Sequence, residues 1–106
     1  MRYSVRLTAK ADADVDSILH RFSEQRATVA GEHWLRQLLS VLDTLESNPE
    51  RCPMAAESAG LAVPIRELLM GKRQYKYRLL FIVSKRRVFI LRVWRAARAA
   101  FTSKDL

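Results

Sequence analysis

An α+β fold is predicted for this chain: an N-terminal strand, an antiparallel two-helix hairpin, then a three-stranded antiparallel meander, with the helices packed on one face of the sheet. Three observations predict it. The apolar period is two over residues 2–8, helical from about residue 9 to 47, and two again after Pro64. Asn48-Pro49 closes the helical stretch, because the residue before a proline avoids the α region. The chain has 106 residues, 49% hydrophobic and 28% charged, which suits one domain over 1–106 with a single modest core.

Each element has its own warrant. In residues 2–8, Tyr3, Val5 and Leu7 share one face and Arg2, Ser4, Arg6 and Thr8 the other, as in a half-buried strand. Thr8 stands at an N-cap position, and Asp12, Asp14 and Asp16 place negative charge in the early turns, where the helix dipole favours it. Val15, Ile18, Leu19 and Phe22 form the apolar stripe of a first helix. Trp34, Leu35, Leu38, Leu39, Val41, Leu42 and Leu45 give a second helix a broad apolar face, with Gly31 near the turn or early in that second helix. Residues 48–63, with Pro49, Pro53 and Gly60, read as an irregular connection.

Strands are then expected over residues 65–70, 75–84 and 87–95, with turns at Gly71-Lys72-Arg73 and Lys85-Arg86. If Tyr77, Leu79, Phe81, Phe89, Leu91 and Val93 face the helices in one antiparallel sheet, the other face displays Arg78, Arg92, Trp94 and Ile82. Such a face suits a partner with negative charge and apolar side chains. The tail, residues 96–106, is a short helical turn or a flexible end.

The net charge of +8 is unevenly placed. Residues 1–63 hold seven Lys/Arg against nine Asp/Glu, whereas residues 64–100 hold eleven against Glu67 alone. That asymmetry points to a polyanionic partner. No apolar run is long enough to span a membrane and no secretory cleavage pattern opens the chain, so a cytoplasmic protein without a membrane partner is expected. Cys52, the single cysteine, cannot form an internal disulfide and reads as a small loop hydrophobe.

Chemistry is limited by what is present. His20 and His33 stand on different helices without Cys, His or Asp at ligand spacing, so no metal is expected. Neither a glycine-rich phosphate loop nor a Gly-x-Ser-x-Gly turn occurs, and no small-molecule cofactor is expected. With no histidine and one acid in residues 64–100, chemistry there falls to Arg66, Lys72, Arg73, Tyr75, Lys76, Tyr77, Arg78, Arg92, Arg95 and Arg98. Arginines stabilise a pentavalent phosphate, a perturbed Lys or Tyr moves protons, and Tyr75 and Trp94 offer stacking faces.

Several motifs, in order, resemble the RelE/ParE superfamily of type II toxins (the plasmid stabilisation family) over nearly the whole chain. They are the opening strand followed by Ala11-Asp12, Leu45-Glu46-Ser47-Asn48-Pro49, Arg66-Glu67-Leu68, Tyr77-Arg78-Leu79-Leu80-Phe81, and Ile90-Leu91-Arg92-Val93-Trp94-Arg95-Ala96-Ala97-Arg98. The resemblance implies a growth-inhibiting toxin neutralised by a cognate antitoxin with an acidic or amphipathic segment. ParE-like members inhibit DNA gyrase; RelE-like members are ribosome-dependent mRNA endoribonucleases. For a ribonuclease the resemblance implies catalytic roles for Arg66, Arg78 and Arg98. For target or nucleic-acid binding, the basic and aromatic residues Lys72, Arg73, Tyr75, Arg92, Trp94 and Arg95 are candidates beside Arg78 and Arg98. Arg95 stands where many relatives carry histidine, and Phe101-Thr102 where ribonuclease members place a catalytic tyrosine. The segments 51–57 and 71–73 resemble the ParE branch, whose targets vary; a gyrase inhibitor is favoured because the ribonuclease's proton-transfer residues are incomplete. A ribonuclease, or an inactive relative that only binds antitoxin, stays open.

Overall fold

A computed structural model describes residues 2–98 and 100–106; Met1 and Ala99, which fall in the expected domain and tail, lie outside the described residues. The elements follow the expected order: β1 (Ser4–Leu7), α1 (Ala9–Glu24), α2 (Thr28–Thr44), a short α3 (Ser58–Leu61), β2 (Arg66–Met70), β3 (Tyr77–Ser84) and β4 (Arg87–Arg95). Thr8 caps α1 as its position suggests, its hydroxyl accepting from the Ala11 N–H at 3.2 Å. The same hydroxyl donates to the Leu91 carbonyl at 3.2 Å, which ties the start of α1 to β4. Gly31 lies within α2, where a Cβ would stand 3.1 Å from that of Phe22, so its missing side chain sets how closely the helices approach. Tyr75 is not in a strand. It ends a 3-10 turn, Arg73–Tyr75, that follows Gly71 at φ +96°, and β3 begins at Tyr77.

The sheet order is β1-β4-β3-β2, and β2, β3 and β4 form the expected antiparallel meander. β1 corrects the expectation of one antiparallel sheet, for it pairs with β4 in parallel, Val5 opposite Val88 and Leu7 opposite Ile90. The reason is the course of α1. It does not reverse the chain but advances along β4: Asp14 meets the Val93 N–H, and Arg21 stands beside Arg95. Only α2 turns back, bringing the Glu46 carbonyl to the Tyr3 N–H at 2.9 Å. One reversal fewer leaves β4 running with β1.

Two cores sandwich the sheet. The larger joins Ala11, Val15, Ile18, Trp34, Leu38 and Leu45 of the helical side to Tyr77, Leu79, Phe81, Val88, Ile90 and Val93. The smaller, on the far face, holds Ala55, Ile65, Leu80, Leu91, Trp94 and Phe101. The far face is therefore not the open display of Arg78, Arg92, Trp94 and Ile82 that alternation predicts. Trp94 is buried, and the connection before β2 and the tail lie over it. Phe89 and Leu91 also depart from prediction. A bulge puts Leu80 opposite Arg92 but Phe81 opposite Ile90, which turns Leu91 to the far face and leaves Val88, Ile90 and Val93 on the helical one. Cys52 joins the larger core at 3% exposure, and burial pushes its thiol pKa up. No helix among the described residues is long and apolar enough to cross a membrane.

Candidate functional site

The sequence-predicted residues divide into two groups of opposite fate. Arg66, Arg78 and Arg92 are engaged inside the protein. Arg66 donates through Nη1 to the carbonyls of Glu50 (3.0 Å) and Cys52 (2.7 Å), fixing the loop after α2. Arg78 donates to Glu57 Oε2 and Oε1 at 2.8 and 2.7 Å, and its Nε donates to Glu67. Such a bidentate pair, with both side chains 12% exposed, is strong and screened little by salt. Glu57 also accepts from the Phe101 N–H at 3.1 Å. The Arg78 hydrogen bonds, opposed by burial and aided by that backbone contact, hold the Glu57 carboxyl down at about 2.

Arg92 repeats the pattern. It donates to Asp14 Oδ2 and Oδ1 at 2.8 and 2.6 Å and to Asp105 at 3.2 Å, while Asp14 accepts from the Val93 N–H at 3.0 Å. Each of the three nitrogens of the Arg78 guanidinium has a carboxylate partner, so three of its five N–H donors are already engaged inside the protein.

The second group lines one trough where the C-terminal end of β4 meets α1 and the turn before β3. Its widest basin, about 520 Å³, is bounded by Asp14, Ser17, Arg21, Trp94, Arg95 and Arg98. It continues past Arg21, Phe22 and Gln25 to Tyr75 and Tyr77, and then to Lys72 beside Trp34 and Gln37. Lys72, Tyr75, Trp94, Arg95 and Arg98 are thus brought together, and Arg73 is exposed on the turn next to Lys72. The fold explains the gathering: β4 delivers Trp94 and Arg95 in succession, and the Gly71 turn carries Lys72 and Tyr75 to the mouth of the helical hairpin.

Trp94 is held between two guanidinium groups, Arg98 at 4.2 Å and Arg92 at 4.7 Å from the ring centroid. Its indole N–H is buried without an acceptor among the described residues. Arg21 and Ser17 were missed by the sequence reading. Their only signal is a place one helical turn apart, on the flank of the Ile18–Phe22 stripe. Asp14 is the trough's one lining carboxylate among the described residues and is bidentately held by Arg92; no histidine lines these basins. No group of three His, Cys, Asp or Glu able to hold a metal occurs among the described residues.

Comparison with known proteins gives two findings. Residues 5–100 match the model of a family described as "ParE toxin of type II toxin-antitoxin system, parDE". The fold is similar to a solved structure described as "Chromosomal ParDE TA system from P. aeruginosa", with a TM-score of 0.68 and 21% identity over 89% of this chain and 96% of that one. At that identity the likeness speaks for the fold. No curated protein matches the sequence.

Proposed function

The chain belongs to the ParE toxin family of type II toxin–antitoxin systems, and from that premise we propose that it poisons its target by binding rather than by cutting RNA. As a toxin of such a system it has a cognate antitoxin. The target in this reading is DNA gyrase, met in the cytoplasm, and the trough is the surface that grips it. The antitoxin's acidic or amphipathic segment competes for the same surface.

One observation carries the reading: two of the three arginines a ribonuclease would need at the scissile phosphate, Arg66 and Arg78, are engaged, while the third, Arg98, stands apart from them with the exposed cations of the trough. Arg78 is held by Glu57 and Glu67, and Arg66 spends its Nη1 on two loop carbonyls. General acid–base cleavage also requires a group that can exchange a proton near neutral pH. Asp14, the trough's carboxylate, already accepts from Arg92 and from the Val93 N–H. A basic groove with tyrosines along its wall binds anionic and apolar side chains together, which is a property of protein interfaces.

The test is a supercoiling assay with purified gyrase. The toxin is expected to inhibit it, and the Arg21→Ala/Arg98→Ala variant to need at least tenfold more protein for the same inhibition, corresponding to about 1.4 kcal/mol. Codon-phased cuts in cellular mRNA by primer extension, with supercoiling untouched, would overturn the proposal in favour of the ribonuclease.

A further inference from the structure

The end of the sheet remote from the trough has its own character. Arg87 begins β4 opposite Ser4, and Arg6 of β1 lies opposite Phe89, whose partner on β3 is Ile82. Val88 is fully buried in the core beneath the helices, so Arg87 and Phe89, its neighbours in the strand, point to the far face. Arg6 shares that face through its pairing with Phe89. The row Arg6–Phe89–Ile82 thus crosses three strands. The tail and the connection before β2 pack on Leu80, Leu91 and Trp94, further along the strands, and Ile82 packs against the edge of that core, which leaves Arg6, Phe89 and Arg87 outside it.

Phe89 is half-buried and packs into neither core, unlike the buried Phe81 and Phe101. It has a guanidinium-bearing neighbour on each side, Arg6 across the strands and Arg87 along its own. The two arginines are diagonal neighbours on adjacent parallel strands. The tip of the hairpin adds Lys85 and Arg86, the latter lying 5.4 Å over the Tyr3 ring. Residues 2–8 and 84–91 carry five cations and no acid, and Glu46, the carboxylate that approaches from α2, is bonded to Arg2.

We propose that this uncovered end of the sheet binds single-stranded nucleic acid, with Phe89 stacking on a base and Arg6 and Arg87 contacting the flanking phosphates. The charge is complementary, and so is the shape. An open sheet face with one accessible ring is a stacking platform, and a polynucleotide supplies with each residue both a planar face and a phosphate. An acidic peptide matches the charge but has no planar face for Phe89. The proposal is independent of the gyrase reading, since no residue of the trough takes part.

Fluorescence anisotropy of labelled oligodeoxythymidine, about twenty nucleotides long, with the full chain tests it. Single strands are expected to bind more tightly than a duplex of equal length. Arg6→Ala/Arg87→Ala is expected to weaken binding at least tenfold and to lower the salt slope by roughly one and a half, the share of two phosphates. Phe89→Leu, which keeps an apolar group on the sheet, should weaken single-strand binding about fivefold or more. The Arg21→Ala/Arg98→Ala variant should change it less than twofold. Thermal unfolding of each variant separates a local effect from misfolding. Unchanged binding by folded variants of both kinds overturns the proposal, and so does equal competition by polyglutamate, which would make the surface a reader of charge alone.

Discussion

Glu57 shows how much one carboxylate can organise. It accepts from two nitrogens of Arg78 and from the Phe101 N–H, so it joins the connection before β2, the centre of the sheet and the tail. Its pKa is lowered from 4.5 to about 2. A carboxyl held below its unfolded value stabilises the fold above the unfolded pKa, and that contribution is lost as the pH falls through the folded one. Between pH 4.5 and about 2 the protein is therefore expected to lose up to about 3 kcal/mol through this group. Urea unfolding across that range would measure the loss. Glu57→Gln should be less stable at neutral pH and should flatten the acid limb; the same slope in both proteins would assign the acid sensitivity to another group.

At the scale of elements, Asp14 does for α1 and β4 what Glu57 does for the tail. Its carboxylate accepts from the Arg92 guanidinium and the Val93 N–H, with side-chain exposure of 10% for Asp14 and 14% for Arg92. Asp14→Ala strands a half-buried cation and a backbone donor together, and a loss of about 3 kcal/mol is expected. Asp14→Asn keeps an acceptor for Val93 and should lose less. Chemical denaturation of both would show the order, and equal losses would mean that only the charge matters. Asp14 was legible in the sequence merely as a dipole-favoured acid in an early helical turn, because its partner lies far along the chain in β4. β4 itself was legible to its end residues: the basic turn starts it and the alternation runs to Arg95. Its phase was not. Val88 and Ile90 are as apolar as Phe89 and Leu91, so the pattern has no preferred face, and a one-residue bulge decides which pair is buried against the helices. The trough was legible in part for a related reason. Lys72, Tyr75, Trp94, Arg95 and Arg98 announce themselves by composition, whereas Arg21 acquires its place only when α1 runs along β4.

On the scale of the whole molecule, the acidic and basic halves of the sequence are not separate in space. Asp14 and Glu57 come from the half whose acids outnumber its bases, and each neutralises an arginine of the basic half. Much of the basic half's other charge lies along the trough at one end of the sheet and the hairpin at the other. The tail holds this arrangement closed: Phe101 is 3% exposed against the Trp94 ring, Asp105 bonds Arg92, and Lys10 donates to the Lys104 and Leu106 carbonyls at 3.0 and 2.7 Å. Deleting residues 101–106 would remove one buried aromatic and uncover Trp94, Leu91 and Leu80. Loss of a buried phenylalanine costs about 3 kcal/mol or more, and the larger core, which contains no tail residue, should still hold the sheet to the helices. The shortened chain is thus expected to keep its far-ultraviolet circular dichroism while binding a hydrophobic dye and unfolding at lower denaturant concentration. Phe101→Ala should give the same dye signal in weaker form. Wild-type stability and no dye binding in the shortened chain would show that the smaller core stands without its tail, and Trp94 would then owe its burial to the connection before β2 alone.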